Sequence, residues 1–288
     1  MKKILITGCN GQLGRAIQKE YANSVDFIKT DVTEGDGVRA LDITRIDDVM
    51  ELVRSRKPDV IINCAAATNV DGCEKDEAFA FRLNAIGPRN LAIASTEINA
   101  KLIHVSTDYV FPGTLRRPLI ETEAPAPVSA YGRTKYQGEL FVKDFARRWY
   151  ILRTAWLYGE GRNFVETMLK LSENHDTVTV VEDQFGSPTS ASELARMIHL
   201  FELTDNFGLF HATCEGSTNW ADFTEEIYRL AEKNVKVNHV SSEKYKEMNP
   251  DSADRPKYSI LENFMIKQTT DFMMADWHDA IKKYLEEH

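Results

Sequence analysis

The first half of the chain alternates two kinds of apolar pattern. Short, unbroken apolar runs predict strands at "KILIT" (3–7), "VDFIKTD" (25–31), "DVIINCAA" (59–66), "AKLIHVST" (100–107) and "YILRTAWLYG" (150–159). Between them, apolar residues at helical spacing predict helices over "GQLGRAIQKEYA" (11–22) and "RIDDVMELVRSR" (45–56). One or two more helices fall within 77–96, and a long one begins near Tyr131. Strand–helix alternation implies right-handed crossovers and a parallel sheet with helices on both faces. Unbroken apolar strands fit a sheet buried on both sides. The expected class is α/β, a doubly wound parallel sheet.

Beyond residue 159 the rhythm changes. Helices are expected at 163–174, 190–203, 219–234 and near 276–288, with strands at 177–183 and 208–213. In "NWADFTEEIYRLAEKN" Asn219 is placed as an N-cap, with Asp222 three positions on. There is no internal repeat, low-complexity tract or long linker. A first domain is therefore expected over 1–159, completed by a later strand near 208–213. A smaller lobe over 160–288 would be interleaved with it.

Composition narrows the function classes. A chain of 288 residues can bury a sizeable core in one large or two modest domains. Its net charge of −9, without a long basic run, argues against nucleic acid and anionic membrane surfaces as partners. No apolar run approaches the roughly 18–20 residues a membrane-crossing helix needs. Met1-Lys2-Lys3 before "ILITG" loosely resembles a signal peptide. The apolar run is too short, however, and a Gly-rich turn stands where a cleavage site would be. A cytoplasmic protein is expected. Cys9, Cys64, Cys73 and Cys214 form no CxxC pair, which favours isolated reduced thiols over zinc or disulfides.

The first candidate chemistry lies at the first strand–helix junction. "ILITGCNGQLGRAI" sets Gly8, Gly11 and Gly14 at G-x-x-G-x-x-G spacing after a strand and at the opening of a helix. Glycines permit the tight turn and a close backbone approach to a pyrophosphate, while the helix N-terminus offers free N–H groups. This implies a dinucleotide and a Rossmann-type sheet. Asp31 lies 17 residues past Gly14, where an acidic side chain takes a ribose 2′-OH and disfavours a 2′-phosphate. That leans towards NADH, although Lys29 keeps NADPH open and Asp31 could simply end a strand. Asp42 in "ALDIT" could equally be an N-cap.

A second candidate lies in "VSAYGRTKYQGE" (128–139), behind Pro125 and Pro127. Tyr131 and Lys135 are four apart, a little over one helical turn, so they share a face. A nearby cation favours phenolate and can lower the tyrosine pKa from about 10 by roughly 1–3 units. The phenol would then be tuned for acid–base work. Thr107, ending the strand in "HVSTDYVF", could hold a substrate carbonyl or polarise Tyr131. Alone, Tyr-x-x-x-Lys is usually a surface pair; its place after a nucleotide-binding half gives it weight.

With Asn63-Cys64-Ala65-Ala66, these motifs resemble the extended short-chain dehydrogenase/reductases. Within that group, "GCNGQLG", "DVIINCAAATNVDGCE", "LNAIGPRNLA", "HVSTDYVFPG", "YGRTKYQGE", "LRTAWLYG", "DQFGSPTSA" and "RPKYSIL" are similar to the dTDP-4-dehydrorhamnose reductase family over nearly the whole chain. The resemblance implies reduction of a nucleotide-linked ketosugar at C4, with Tyr131 as proton donor, Lys135 on the nicotinamide ribose and Thr107 in place of the usual catalytic serine. Thr107 and Asp108 would touch the sugar and Trp156 would pack against it, unless Trp156 is ordinary core. Gly11, Gln12 and Leu13 would line the pyrophosphate, Asp31 the adenosine ribose, and Leu41 and Asp42 the adenine. Ala65, Ala66 and Ala67 would contact the ribose and nicotinamide. None of the seven histidines falls in a catalytic motif, and His104 reads as a satisfied packing residue. Some family members dimerise through a metal held by acidic side chains. The first helix shows no such cluster, so no metal is expected and a homodimer stays open. Two rivals share these motifs: a non-catalytic nucleotide-binding regulator of the methionine adenosyltransferase type, and a sugar-nucleotide epimerase.

Overall fold

The computed structural model describes residues 1–22 and 24–288. Its main sheet has seven parallel strands. Six are β1 (Lys3–Thr7), β2 (Asp26–Asp31), β3 (Arg39–Ala40), β4 (Val60–Asn63), β5 (Lys101–Thr107) and β6 (Trp149–Thr154). The seventh, Gly208–His211, comes much later in the chain and pairs with β6 at the sheet edge. From that edge the order runs through β6, β5, β4, β1, β2 and β3. Strand order reverses beside β1, and such a switch point opens a crevice at the carboxyl ends of the strands.

Helices α1 (Gln12–Tyr21), α2 (Ile46–Arg56), α3 (Val70–Lys75), α4 (Glu77–Phe81), α5 (Gly87–Glu97) and α6 (Ala130–Phe145) complete this half. Two apolar cores sandwich the sheet. Leu13 and Ile17 of α1 join Leu194 and Ile198 of the helix Ala191–Leu203 on one face. Val49 of α2, Leu91 of α5 and Val142 of α6 cover the other. A third core, built around Phe223, Ile227, Trp277 and Ile281, belongs to the C-terminal residues. There Thr177–Val181 pairs in parallel with Lys236–Val240, and Asn219 caps the helix Trp220–Leu230 by accepting from Asp222 N.

The differences from the expected elements have local causes. The segment 77–97 is nearly one helix, but a π turn over Arg82–Ile86 separates α4 from α5. The apolar run 150–159 breaks after β6 because Trp156 takes a left-handed backbone at φ 49°. The following Leu157–Tyr158 leaves the main sheet and pairs with Thr189–Ser190. Short helices at Ser242–Met248 and Phe264–Thr269 carry too little periodicity to be legible. All four cysteines are free. Among the described residues no helix is long and apolar enough to cross a membrane.

Candidate active site

A cleft of about 1110 Å³ lies over the switch point. Pockets for single small ligands run to roughly 300–1,000 Å³, so this one has room for more than one. Its walls include Gly8, Gly11, Gln12, Leu13, Gly14, Asp31, Leu41, Asp42, Ala65 and Ala66 at one end. Thr107, Asp108, Tyr131, Lys135 and Trp156 lie on the same cleft. Ala67 does not line it: its N–H donates to Asn84 Oδ1 at 2.8 Å and its carbonyl accepts from Asn84 Nδ2 at 3.1 Å. Ala67 packs behind the wall, with Cys73, Ala80 and Ala130.

The glycine turn fits a dinucleotide phosphate. Gly8 has φ +66°, and a Cβ there would sit 2.9 Å from Ala65 N. A Cβ on Gly14 would sit 2.5 Å from Gly8 O, so α1 can approach the turn only without one. Gly11, the N-cap of α1, supplies no side-chain cap, and the first turn carries no acid. Free N–H groups and the positive helix end are therefore left for an anion. Gln12 Oε1 is buried without a partner. Gln18 Nε2 holds the turn from behind by donating to Cys9 O and Gly14 O.

Asp31 ends β2 and braces the same turn. Its carboxylate accepts from Asn10 N at 3.0 Å and Val32 N at 2.8 Å. An ionised carboxylate has about four lone-pair sites, so acceptor capacity remains for a ribose hydroxyl. Asp42 accepts from Thr44 N and Oγ1 in a tight turn, while the N-cap of α2 is Arg45. The N-cap alternative for Asp42 is thus set aside.

The catalytic candidates come from two elements. β5 ends at Thr107, whose Oγ1 accepts from Tyr109 N at 3.2 Å and donates to Asp108 Oδ1 at 3.0 Å. Ser129 caps α6 by accepting from Gly132 N at 3.1 Å, which sets Tyr131 in the first turn and Lys135 one turn on. Gly132 has no side chain because a Cβ would strike Tyr109 O, so α6 lies tight on the turn after β5. The Tyr131 ring meets Tyr109 edge-on at 5.5 Å.

The electrostatics correct one expectation. Lys135 was to lower the Tyr131 pKa. Instead, burial pushes the phenol well above its usual range, and the Thr107 hydroxyl bonded to it pulls back. The Lys135 ammonium donates to Val105 O at 2.6 Å. Burial also holds its own pKa down, to about 8, against the opposing charges of Glu139 and Cys64. Burial raises Asp108 to about 6, opposed by hydrogen bonds from Ser259 and Thr107. His104 also departs from expectation: its Nδ1 meets Asn63 Nδ2 at 3.0 Å, but its buried Nε2 has no partner.

The whole chain, residues 1–288, matches the family described as RmlD substrate binding domain. The chain belongs to this family. A dTDP-4-dehydrorhamnose reductase of Escherichia coli K12 is 36% identical, over 99% of this chain and 97% of its own length. A crystal structure of the Clostridium acetobutylicum dTDP-4-dehydrorhamnose reductase superposes with a TM-score of 0.93, at 46% identity and 99% coverage of both chains. A Bacillus anthracis dTDP-4-dehydrorhamnose reductase solved in complex with NADP gives 0.92, at 38% identity, covering 100% of this chain and 99% of the other.

Against this RmlD family background, three residues stand out that the sequence reading did not place in the site. Asn84 sits in the π turn, clamps Ala67 and donates to Thr134 Oγ1 of α6 at 3.2 Å. Ser259, in "RPKYSIL", donates to Asp108 Oδ2 at 2.5 Å from 151 residues away. Trp220 lines the cleft and stacks on Trp156. Asn84 had a signal in "LNAIGP", a polar residue in an otherwise small and apolar helical run. Among the described residues, one trio with ligand atoms close enough to hold a metal, Asp222, Glu225 and His239, is exposed and lines no part of the cleft.

Proposed function

We propose that this chain reduces the C4 ketone of dTDP-4-dehydro-L-rhamnose to dTDP-L-rhamnose, with Tyr131 as proton donor. The carrying observation is that Thr107, Tyr131 and Lys135 face the same cleft as the glycine turn. When bound, NADPH or NADH supplies the hydride that forms the new C4–H bond. The glycine turn and the open end of α1 hold the pyrophosphate. Burial keeps the Tyr131 phenol protonated near neutral pH, the state an acid needs to protonate the carbonyl oxygen. The Thr107 hydroxyl steadies the phenolate left behind by turning its one proton from Asp108 Oδ1 to the phenolate oxygen. Lys135 binds the nicotinamide ribose and contributes a positive charge one turn from Tyr131. Asp31 takes the adenosine ribose, and Asp108 and Trp156 meet the sugar.

The test is oxidation of NADPH by the purified protein with the ketosugar nucleotide, followed by absorbance of the reduced cofactor. Tyr131→Phe should lower turnover about 10²–10⁴-fold while NADPH binding is retained. Absence of cofactor oxidation by the unaltered protein would overturn the reading.

A further inference from the structure

Five non-glycine residues have positive φ among the described residues: Ala22, Lys57, Asn99, Trp156 and Glu232. Ala22 and Lys57 are the C-caps of α1 and α2. Asn99 and Glu232 directly follow the C-caps of α5 and of the helix Trp220–Leu230. Lys57 has the left-handed conformation common at helix ends, while Ala22, at ψ −120°, closes α1 outside it. Trp156 ends no helix, and of the five it alone lines the cleft. A bulky residue held at φ 49° is strained, and such strain persists only where the surroundings over-determine it.

Three contacts do so. The Trp156 indole stacks on Trp220 with centroids 3.6 Å apart and planes within 8°. Its carbonyl accepts from Thr189 N at 3.3 Å. Gly186 lies against the plane of the indole at Cε2, where a Cβ would sit 2.5 Å from Trp156 Cε2 and 2.6 Å from Nε1. Gly186 has no left-handed φ of its own, so space rather than backbone conformation demands glycine there. The two partners are tied together. Phe185–Gly186 pairs antiparallel with Thr218–Asn219, which runs directly into Trp220. Phe164 supports Trp220 with its ring centroid at 4.4 Å.

We infer that Gly186 and Trp220 are positioning residues for the sugar nucleotide. Together they hold the Trp156 indole flat as a wall at the substrate end of the cleft. A ring held in one orientation gives a sugar a defined apolar surface to meet, and the stack on Trp220 fixes that orientation. The inference rests on the reductase reading above and assigns a task to the glycine of "DQFGSPT". A side chain at 186 pushes the indole off its stack, and loss of the Trp220 ring lets it swing.

The test is calorimetric binding of dTDP-L-rhamnose to the NADP-loaded protein, which needs no turnover. Gly186→Ala and Trp220→Leu should each weaken binding about 10-fold, equal to about 1.4 kcal/mol. NADPH affinity should stay within about 2-fold, whereas general unfolding would lower both affinities together. In a Trp156→Phe background, where the smaller ring leaves room for a Cβ, Gly186→Ala should cost less than about 2-fold. Unchanged dTDP-L-rhamnose binding in both single variants overturns the inference. So does a full 10-fold cost of Gly186→Ala in the Trp156→Phe background. Wild-type protein that binds dTDP-L-rhamnose without turning over ketosugar would sink the reductase reading alone, and wild type that does not bind it sinks both.

Discussion

At the scale of single residues, the site's acid–base character follows from burial more than from pairing. Lys135 is 3% exposed, and desolvation of its ammonium holds the pKa to about 8 from an ordinary 10.5. Between those values the unfolded chain binds the proton and the folded chain does not. Stability from this group therefore rises with pH from about 8 towards 10.5, and the buried charge is a cost below that window. Activity should move the other way, because the proposed role of Lys135 needs its cation. We predict that kcat/KM, which reports groups of the free enzyme, falls above pH about 8 with one proton lost. A profile of kcat/KM that stays level to pH about 9.5 would contradict that role. Tyr131 and Lys135 were legible as a pair because both lie on one element at helical spacing. The sense of the tuning was not, since desolvation depends on what covers α6.

At the scale of elements, α6 is fixed by its neighbours in ways its own sequence hides. Glu139, one turn past Lys135, is fully buried and accepts from Arg153 Nε at 2.9 Å, Arg153 Nη2 at 2.7 Å and Ser106 Oγ at 2.6 Å. This ties α6 to β5 and β6 directly behind the site. Arg153→Met leaves that carboxylate buried without its cation and should cost about 3–5 kcal/mol in urea unfolding. Replacing both, as Arg153→Met with Glu139→Leu, should recover most of the loss. A double variant no more stable than the single one would show that the pair does more than balance charge. From sequence, Arg153 is a charged residue in an apolar strand, and its partner 14 residues earlier is on another element. Asn84 stands out as a polar residue in an apolar run, but the π turn that aims it cannot be read from periodicity. The glycine turn and the Asn219 cap were legible because backbone conformation or a local hydrogen bond dictates each residue type.

At the scale of the whole molecule, topology makes the site. The order reversal beside β1 opens the cleft, and later parts of the chain return to close it. Ser259 reaches Asp108, while Trp220 and Gly186 frame Trp156. The strand alternation made the parallel sheet legible, but these returns depend on contacts between distant parts of the chain, 151 residues apart for Ser259 and Asp108. A cofactor that binds only the folded chain stabilises all of it. NADPH at 100 times its Kd should add about 2.7 kcal/mol, which for a chain of this size raises Tm by about 4–6 °C. Gly14→Ala, which drives a Cβ into the glycine turn, should abolish that rise; a variant that kept it in full would place the cofactor elsewhere. The central claim concerns where the hydride goes. The most direct measurement uses NADPH dideuterated at nicotinamide C4 with dTDP-4-dehydro-L-rhamnose, and locates the label in the product by NMR. The account predicts one deuterium on C4 of the rhamnose ring for each cofactor oxidised; product without deuterium at C4, or epimerised sugar without net cofactor oxidation, would contradict it.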